Sequence, residues 1–300
     1  MSPVSCSLAH GFVTAGGAGR GIGRLSKDQL REVIASCGVR HAAAYGAQVA
    51  LCALTAKAAL AGSRADPART GLVSNGGPWS ADAALAFLRS IAERGHQFVN
   101  PLALPATLVS AGPTAAAAAA GAKAFAFAAG FDELAFFEAL MRGHQLLRHG
   151  VADHVVVLGC CAGSEALRGA LVVLDLPTDV FECAIGMLLT RCDGKAEGLA
   201  AGFALAGAVI GAEAHPFPTV EQRYAGSIDQ RGLIAFPVSQ PLSAGRAFSA
   251  SGAVLCQAAL VDISGMRDAP REFVVSCRKG DLIGAAHFQW TPACATRSSQ

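Results

Sequence analysis

The sequence predicts an α/β protein, and the alternation of its apolar segments carries that prediction; length and composition fit a compact unit. Segments with apolar residues at helical spacing alternate along the chain with short apolar runs of strand length, which is typical of a sheet covered by helices. The chain has 300 residues, of which 52% are hydrophobic and only 15% are charged. That length would suggest two domains, but large α/β folds also reach it as one compact unit.

The hydrophobic pattern predicts each element in turn. Helices are expected at residues 27–36, 42–61, 81–94, 114–121, 133–148 and 251–261. Strands are expected at residues 69–73, 123–128, 154–158, 183–190, 202–210, 233–238 and 273–277. The helix that starts at Glu133 is apolar nearly all round in its first two turns, where it contains Phe136 and Phe137. A helix of that kind is expected to be buried.

Three segments carry a resemblance to a known family. Residues 99–112 read VNPLALPATLVSAG, residues 133–155 read ELAFFEALMRGHQLLRHGVADHV, and residues 245–253 read GRAFSASGA. They are similar to β-ketoacyl synthase segments of the type VNPFLFPNTLPNAA, to the helix that follows the catalytic cysteine, and to GHTFSASGA. The resemblance covers most of the chain and is strongest over residues 99–162 and 236–256.

The resemblance implies a thiolase-like fold, in which two related βαβαβ-type halves form layers of helices and sheets. We expect residues 1–192 to form the first half and residues 193–300 a shortened second half, both within one compact unit. The second half is too short for every expected element. We expect the deletion to fall between residues 214 and 232, where a histidine motif of the family would lie.

The family's catalytic groups are missing or replaced. Counting back seventeen positions from Gly150 places Glu133 where a ketosynthase has its cysteine, and Arg246 stands where GHTFSASGA has its histidine. The usual upstream lysine corresponds most nearly to Gln240, and no HGTGT string occurs. Residues 276–286, SCRKGDLIGAA, replace the family's glycine-rich loop NSFGFGGTNAS, with Gly280 in place of the aromatic gate.

The resemblance implies a subunit without ketosynthase activity. Chain length factors are ketosynthase-like proteins that lack the cysteine and form heterodimers with an active β-ketoacyl synthase, whose product length they help to set. This chain resembles a shortened chain length factor, with acyl carrier protein reached through the complex. Two alternatives stay open: an acyl-thioester enzyme, such as a decarboxylase or acyltransferase, that uses Glu133 or His144, and a purely structural or regulatory partner of a ketosynthase.

The resemblance also indicates residues of a tunnel or partner interface. The strand before the nucleophile turn pairs across the dimer axis in the family, which would bring Phe125 and Phe127 to the partner. Chain length factors carry gating residues in the segment that corresponds to residues 76–85, where Trp79 is the only bulky candidate. The full set expected at the tunnel or interface is Trp79, Phe125, Phe127, Phe136 and Phe137. Packing within one subunit is the alternative for each of them.

One further expectation concerns electrostatics. If Glu133 and Arg246 occupy the former cysteine and histidine positions, they face each other in a largely buried pocket. We therefore predict an ion pair between them, because either charge would be costly to bury alone. The alternative is that Glu133 points into solvent or caps its own helix.

Several other functions are disfavoured. The ten cysteines contain no CxxC pair, which disfavours zinc and favours buried thiols in a reducing cytoplasm. The glycine-rich segment 12–24 resembles a dinucleotide loop, but neither Tyr45 nor Tyr224 is followed four residues later by lysine. A net charge of +2, without a basic stripe, does not indicate nucleic acid. No apolar run has the length of a membrane span, and no secretory signal is present. No cofactor is expected.

Overall fold

The structure is a computed structural model of the chain. It describes residues 4–9, 26–40, 42–76, 80–130, 132–162, 165–173, 183–191, 202–212, 222–228, 234–235, 251–265, 271–279 and 281–291. The segments that contain Trp79, Gln240, Arg246 and Gly280 lie outside these ranges, as does the glycine-rich segment 12–24.

Eight α-helices are present among the described residues. They are α1 (Lys27–Ser36), α2 (Ala42–Tyr45), α3 (Ala47–Leu60), α4 (Ala81–Arg94), α5 (Ala111–Ala120), α6 (Ala135–Arg148), α7 (Glu165–Val173) and α8 (Ser251–Gly265). Short 3-10 helices span Pro67–Arg69, His96–Phe98 and Pro101–Thr107.

Ten strands form one hydrogen-bonded sheet in the described part of the chain. They are β1 (Val4–Ala9), β2 (Thr70–Asn75), β3 (Ala126–Ala129), β4 (His154–Cys161), β5 (Cys183–Arg191), β6 (Gly202–Gly211), β7 (Gln222–Ile228), β8 (Ile234–Ala235), β9 (Glu272–Lys279) and β10 (Leu282–Thr291). Their order is β3-β2-β4-β5-β1-β6-β10-β9-β7-β8.

The sheet joins two halves that each mix parallel and antiparallel pairs. In the first half β2 runs parallel to both β3 and β4, and β5 and β1 follow antiparallel. In the second half β7 runs parallel to β9, whereas β10 is antiparallel to β9 and β6. Strand β1 pairs with β5 on one side and with β6 on the other, so the first strand links the halves.

Helices α6 and α8 form a layer between the two halves. Helix α6 contacts β2 and β4 from the first half and β6 and β10 from the second, while α8 contacts β9 and β4. Close contact needs small residues here, because a Cβ on Gly159 of β4 would lie 2.1 Å from the Cβ of Ala253 on α8. Helices α1, α3 and α5 are associated with a second core on the opposite face of the first half.

Most predicted elements are confirmed with small shifts at their ends. The helices predicted at 27–36 and 81–94 have those bounds. Ser26 caps α1 by accepting a hydrogen bond from the Gln29 backbone N–H, and the Gln29 side chain accepts one from the Ser26 N–H. The single helix predicted at 42–61 is wrong. It is interrupted at Gly46, whose φ of 80° does not belong to a right-handed helix.

Four elements were not predicted, the first of which is strand β1 (Val4–Ala9). Helix α7 and strand β7 are absent from the sequence prediction, and β7 lies within the interval 214–232 where a deletion is expected. Strand β10 replaces much of the predicted glycine-rich loop. Its Gly284, Ala286 and Phe288 face α6 and its core, but two of these side chains are too small to reveal an alternating pattern. Pairing with β9 and β6 on both sides supplies its hydrogen bonds.

Candidate functional site

The turn between β3 and α6 is built around one glycine and one aspartate. Gly130 has a φ of +67°, and a Cβ there would lie 2.8 Å from the Cα of Ala135. A side chain at this position would therefore be both strained and crowded. Two residues later, Asp132 Oδ1 accepts a hydrogen bond of 2.9 Å from the Leu134 backbone N–H. The turn thus directs the chain sharply from an edge strand into the central helix and holds Glu133 between them.

The carboxyl ends of the neighbouring strands are tied together beside this turn. The Gly76 N–H donates to the Ala129 carbonyl at 3.0 Å, which joins the ends of β2 and β3. The buried Asn75 side chain accepts from the Cys160 N–H at 2.8 Å and donates to the Cys160 carbonyl at 2.9 Å. These contacts extend the β2 and β4 pairing beyond its last backbone rung. Hydrogen bonds therefore fix the carboxyl ends of β2, β3 and β4 next to the turn that contains Glu133.

Glu133 forms an ion pair with Lys279, the last residue of β9. The Lys279 ammonium donates a hydrogen bond to Glu133 Oε2. The Glu133 side chain is 17% exposed and that of Lys279 is 39% exposed, so the pair lies at the edge of the interior. One partner comes from each half of the chain. This charge-assisted hydrogen bond therefore joins the two halves at the start of the central helix.

Lys279 is the site residue that sequence comparison missed. The sequence predicts Arg246 as the partner of Glu133, but Arg246 lies outside the described residues, so that pairing stays a prediction. Lys279 directly precedes Gly280 in the segment compared with the family's glycine-rich loop. The sequence feature that could have indicated Lys279 is its position two residues after the apolar run FVVSC, where a strand is expected to end.

Three buried thiols near this region are poor nucleophiles. Cys277 lies two residues before Lys279 on β9, and burial followed by the charge of Glu133 raises the pKa of its thiol to about 12. Burial raises the pKa of Cys183 to about 12 and the pKa of Cys160 well above its ordinary value. Since the thiolate is the reactive form, these cysteines are expected to be inert packing residues.

His144 does not join Glu133 in a catalytic group. It lies on α6 nine residues after the helix begins at Ala135, roughly 14 Å along the helix axis at the usual rise per residue. The side chain is buried, and its Nε2 has no hydrogen-bond partner. Burial and then the charge of Arg148 lower the pKa of His144, so the neutral imidazole is favoured. Glu133 and His144 therefore remain two separate candidates for the enzymatic alternative.

The four phenylalanines occupy two different environments. Phe136 and Phe137 are completely buried in this chain's own core, where they pack against Gly159 of β4, Gly252 of α8 and Gly284 of β10. Their expected place at the tunnel or interface stays a prediction. Phe125 and Phe127 are only half-buried, and their ring centroids lie 5.8 Å apart. Phe127 belongs to edge strand β3, whereas the Phe125 ring covers Gly71 of β2.

Two other kinds of site are absent from the described residues. No group of three or more histidine, cysteine or acidic side chains in the described ranges is arranged to hold a metal ion. No helix among the same residues is long and apolar enough to cross a membrane.

Comparison with solved structures shows which fold this is. An ishigamide ketosynthase/chain length factor is 13% identical in sequence, with a TM-score of 0.65 over 97% of this chain and 98% of that one. The chain has a ketosynthase-like, thiolase-type fold. A β-ketoacyl synthase from Burkholderia phymatum STM815 gives 11% identity and a TM-score of 0.63 over 97% of this chain and 100% of that one.

A third ketosynthase-fold structure is a type II polyketide synthase ketosynthase in complex with its acyl-carrier protein. It is 15% identical, with a TM-score of 0.59 over 96% of this chain and 99% of that one. No protein-family model matches the sequence, and no curated protein matches it. The fold predicted from the sequence resemblance is therefore confirmed by structure, at identities too low to transfer an activity.

Proposed function

We propose that this chain is a non-catalytic ketosynthase-like subunit, comparable to a chain length factor. It would pair with an active β-ketoacyl synthase in polyketide or fatty-acid-like biosynthesis and help to shape the acyl tunnel. The observation that carries the proposal is Glu133, which lies in the turn between strand and central helix and is paired with Lys279. In the family that the sequence resembles, the corresponding turn holds the catalytic nucleophile.

The chemistry of a paired carboxylate supports a role without turnover. Ketosynthases form a thioester on a cysteine thiolate, which is intrinsically very nucleophilic. Attack by the Glu133 carboxylate on an acyl thioester would give a mixed anhydride, which is less stable than the thioester. The Lys279 ammonium lowers the nucleophilicity of the carboxylate further by binding its oxygen. The thiolate for elongation would therefore come from a partner subunit.

The edge of the sheet supports pairing with another subunit. Strand β3 pairs with β2 on one side and is the terminal strand of the sheet in the described part of the chain. It contains only alanines and Phe127, without the charged or proline residues that commonly protect an edge strand. Such an edge is suited to continue its ladder into a partner. Phe127 would then lie in the interface.

Two structure neighbours are consistent with the proposed partners. One is described as a ketosynthase/chain length factor, and another as a ketosynthase in complex with its acyl-carrier protein. By analogy, we propose that the active subunit of the heterodimer receives most carrier-protein contacts and that this chain contributes tunnel wall.

Trp79 is the proposed tunnel-gating residue. If its indole closes the tunnel, Trp79→Ala in the complex lengthens the products by one or more extension units, because the removed side chain leaves room for a longer acyl chain. The measurement is the product mass distribution of the reconstituted synthase. An unchanged distribution would exclude a gating role while leaving the subunit assignment intact.

The deciding experiment reconstitutes elongation with purified components. The chain, the ketosynthase encoded nearest to it and acyl carrier protein are combined singly and together, and carbon dioxide release from malonyl-carrier protein and chain elongation are measured. We expect the chain alone to show neither reaction and elongation to require both subunits. Release of carbon dioxide by the chain alone, lost in Glu133→Gln, would overturn the proposal and identify Glu133 as catalytic.

A further inference from the structure

The first turn of helix α3 contains a buried amide that has no partner in the described part of the chain. Gln48 is the second residue of α3, and only 4% of its surface is exposed. Its Oε1 and Nε2 are both shielded from solvent, and neither forms a hydrogen bond with a described residue. Roughly 90% or more of buried polar groups in folded proteins are paired, so a partner for this amide is expected.

Gln48 lies on the side of α3 that faces the sheet. Its backbone carbonyl accepts a weak hydrogen bond from the Cys160 thiol of β4, with 4.0 Å between sulfur and oxygen. Cys52 follows one turn later on the same face of α3, and it belongs to the same buried apolar cluster as Cys160. The helix face that carries Gln48 is therefore packed against groups that form only weak hydrogen bonds.

The helix end beside Gln48 supplies further hydrogen-bond donors. The first backbone N–H groups of an α-helix have no acceptor within the helix itself. In many helices a serine, threonine, aspartate or asparagine side chain accepts from one of them. The N-cap residue of α3 is Gly46, which forms no side-chain cap. The first turn of α3 therefore combines uncapped backbone donors with the donor and the acceptor of the Gln48 amide.

We propose that the first turn of α3 binds a water molecule as a fixed part of the fold, with the Gln48 amide as its principal ligand. A water both donates and accepts hydrogen bonds, so it can donate to Oε1 and accept from a neighbouring N–H. Buried waters typically make about three hydrogen bonds to polar groups that would otherwise be unsatisfied. The Gln48 amide and the first-turn N–H groups are sufficient for that number.

The charges of α3 favour a neutral ligand over an anion. Helix N-termini attract anions, and a buried anion also needs a counter-ion to offset the loss of its hydration. The single charged residue of α3 is Lys57, which lies in the last turn of the helix. Its ammonium donates a hydrogen bond of 2.8 Å to the Cys37 carbonyl. An anion at Gln48 would therefore lack a cation from this helix, whereas a water needs none.

The proposed water extends a line of polar contacts across two strand ends. Cys160, which contacts the Gln48 carbonyl, binds the Asn75 side chain through its own backbone N–H and carbonyl at 2.8 and 2.9 Å. Asn75 is the last residue of β2. Polar contacts thus connect α3, β4 and β2, and the water completes this line at the α3 end. The water site is independent of the proposed function, because only the fold of the chain is needed to form it.

The test counts long-lived waters in the purified protein. Oxygen-17 magnetic relaxation dispersion of the solvent detects waters that exchange slowly, and it is measured for wild type, Gln48→Leu and Thr55→Val. Gln48→Leu keeps an apolar side chain of similar size and removes both amide atoms. Thr55→Val is the matched control, because Thr55 is a fully buried polar residue two turns further along the same helix.

We expect the number of long-lived waters to fall by about one in Gln48→Leu and to stay at the wild-type value in Thr55→Val. An unchanged number in Gln48→Leu would overturn the proposal. An equal fall in both variants would also overturn it, because that result would indicate a general loosening of α3.

A crystal structure of the wild-type chain tests the same site without a substitution, so the test does not depend on the folding of Gln48→Leu. Density for a water within about 3 Å of the Gln48 amide is the expected result. An amide bonded directly to protein atoms would contradict the proposal. Inorganic phosphate that raises the melting temperature of wild type, but not of Gln48→Leu, would overturn it in favour of an anion site.

Discussion

Glu133 and Lys279 connect the two halves of the chain through one ion pair at the start of the central helix. The Glu133 side chain is largely shielded, whereas Lys279 keeps contact with solvent. Each charge is partly desolvated, so removing one partner leaves the other without its counter-ion. At the scale of single residues, the ion pair thus neutralises one partly shielded charge from each half of the chain.

The coupling between these two residues can be measured. Glu133→Gln and Lys279→Met should each destabilise the fold, and the double variant should lose less than the sum of the two single losses. The expected coupling is about 1 kcal/mol, since Lys279 is partly exposed. Urea unfolding of the four proteins gives the value, and zero coupling would contradict the pair. A parallel cycle of Glu133→Gln with Arg246→Met tests the partner that the sequence predicts.

His144 predicts a dependence of stability on pH. The pKa of the folded-state imidazole lies below its ordinary value of 6.5, so the unfolded chain binds more protons near that pH. Neutral His144 therefore makes its full contribution to the free energy of unfolding above pH 6.5, and this contribution is lost as the pH falls below that value.

The measurement is the urea unfolding free energy at pH 7.5 and at pH 5.5. Wild type should lose up to about 1.4 kcal/mol per pH unit through this group, and His144→Leu should lose less. His149→Leu is the control, because His149 is exposed at the end of the same helix. An identical pH dependence in wild type and His144→Leu would show that His144 is not the group responsible.

Among the secondary-structure elements, the turn between β3 and α6 has the strictest local requirement. Gly130 combines a positive φ with close neighbours, whereas Gly62 has a positive φ of 73° and no atom within 4 Å of the place that a Cβ would occupy. A comparison of substitutions at these two positions therefore distinguishes the cost of backbone strain from the cost of steric crowding. The turn holds Glu133 in place only if the chain can reverse direction between the edge strand and the buried helix.

Alanine at these two positions should have different effects. Gly62→Ala should cost about 1 kcal/mol, which is the ordinary penalty for a left-handed alanine. Gly130→Ala should cost about 2–4 kcal/mol, because its Cβ would also meet Ala135. Denaturant unfolding of both variants tests this difference. Equal costs would show that the turn relaxes around the added methyl group.

On the scale of the whole molecule, the two halves depend on one shared core. The cluster that contains Phe136 and Phe137 of α6 also includes Phe273 and Phe288 from the second half. All four of these rings are completely buried. Neither half could bury its part of this cluster alone, because α6 belongs to one half and packs on strands of the other.

Residues 1–192 and 193–300 are therefore predicted to fail to fold separately. Each should be insoluble or unfolded when expressed alone, and co-expression should restore a soluble complex with the circular dichroism spectrum of the intact chain. The intact chain should unfold in one cooperative transition. Two independent transitions, or a folded isolated half, would show that the division near residue 193 separates autonomous domains.

The sequence alone determined the fold class, most element positions and the place of Glu133. These features depend on local periodicity and on motif spacing within one segment, as in helices α1 and α4. Only the tertiary structure decided that Lys279 pairs with Glu133 and that β10 is a strand. Each of these facts depends on contacts between residues far apart in the chain, which no local pattern encodes.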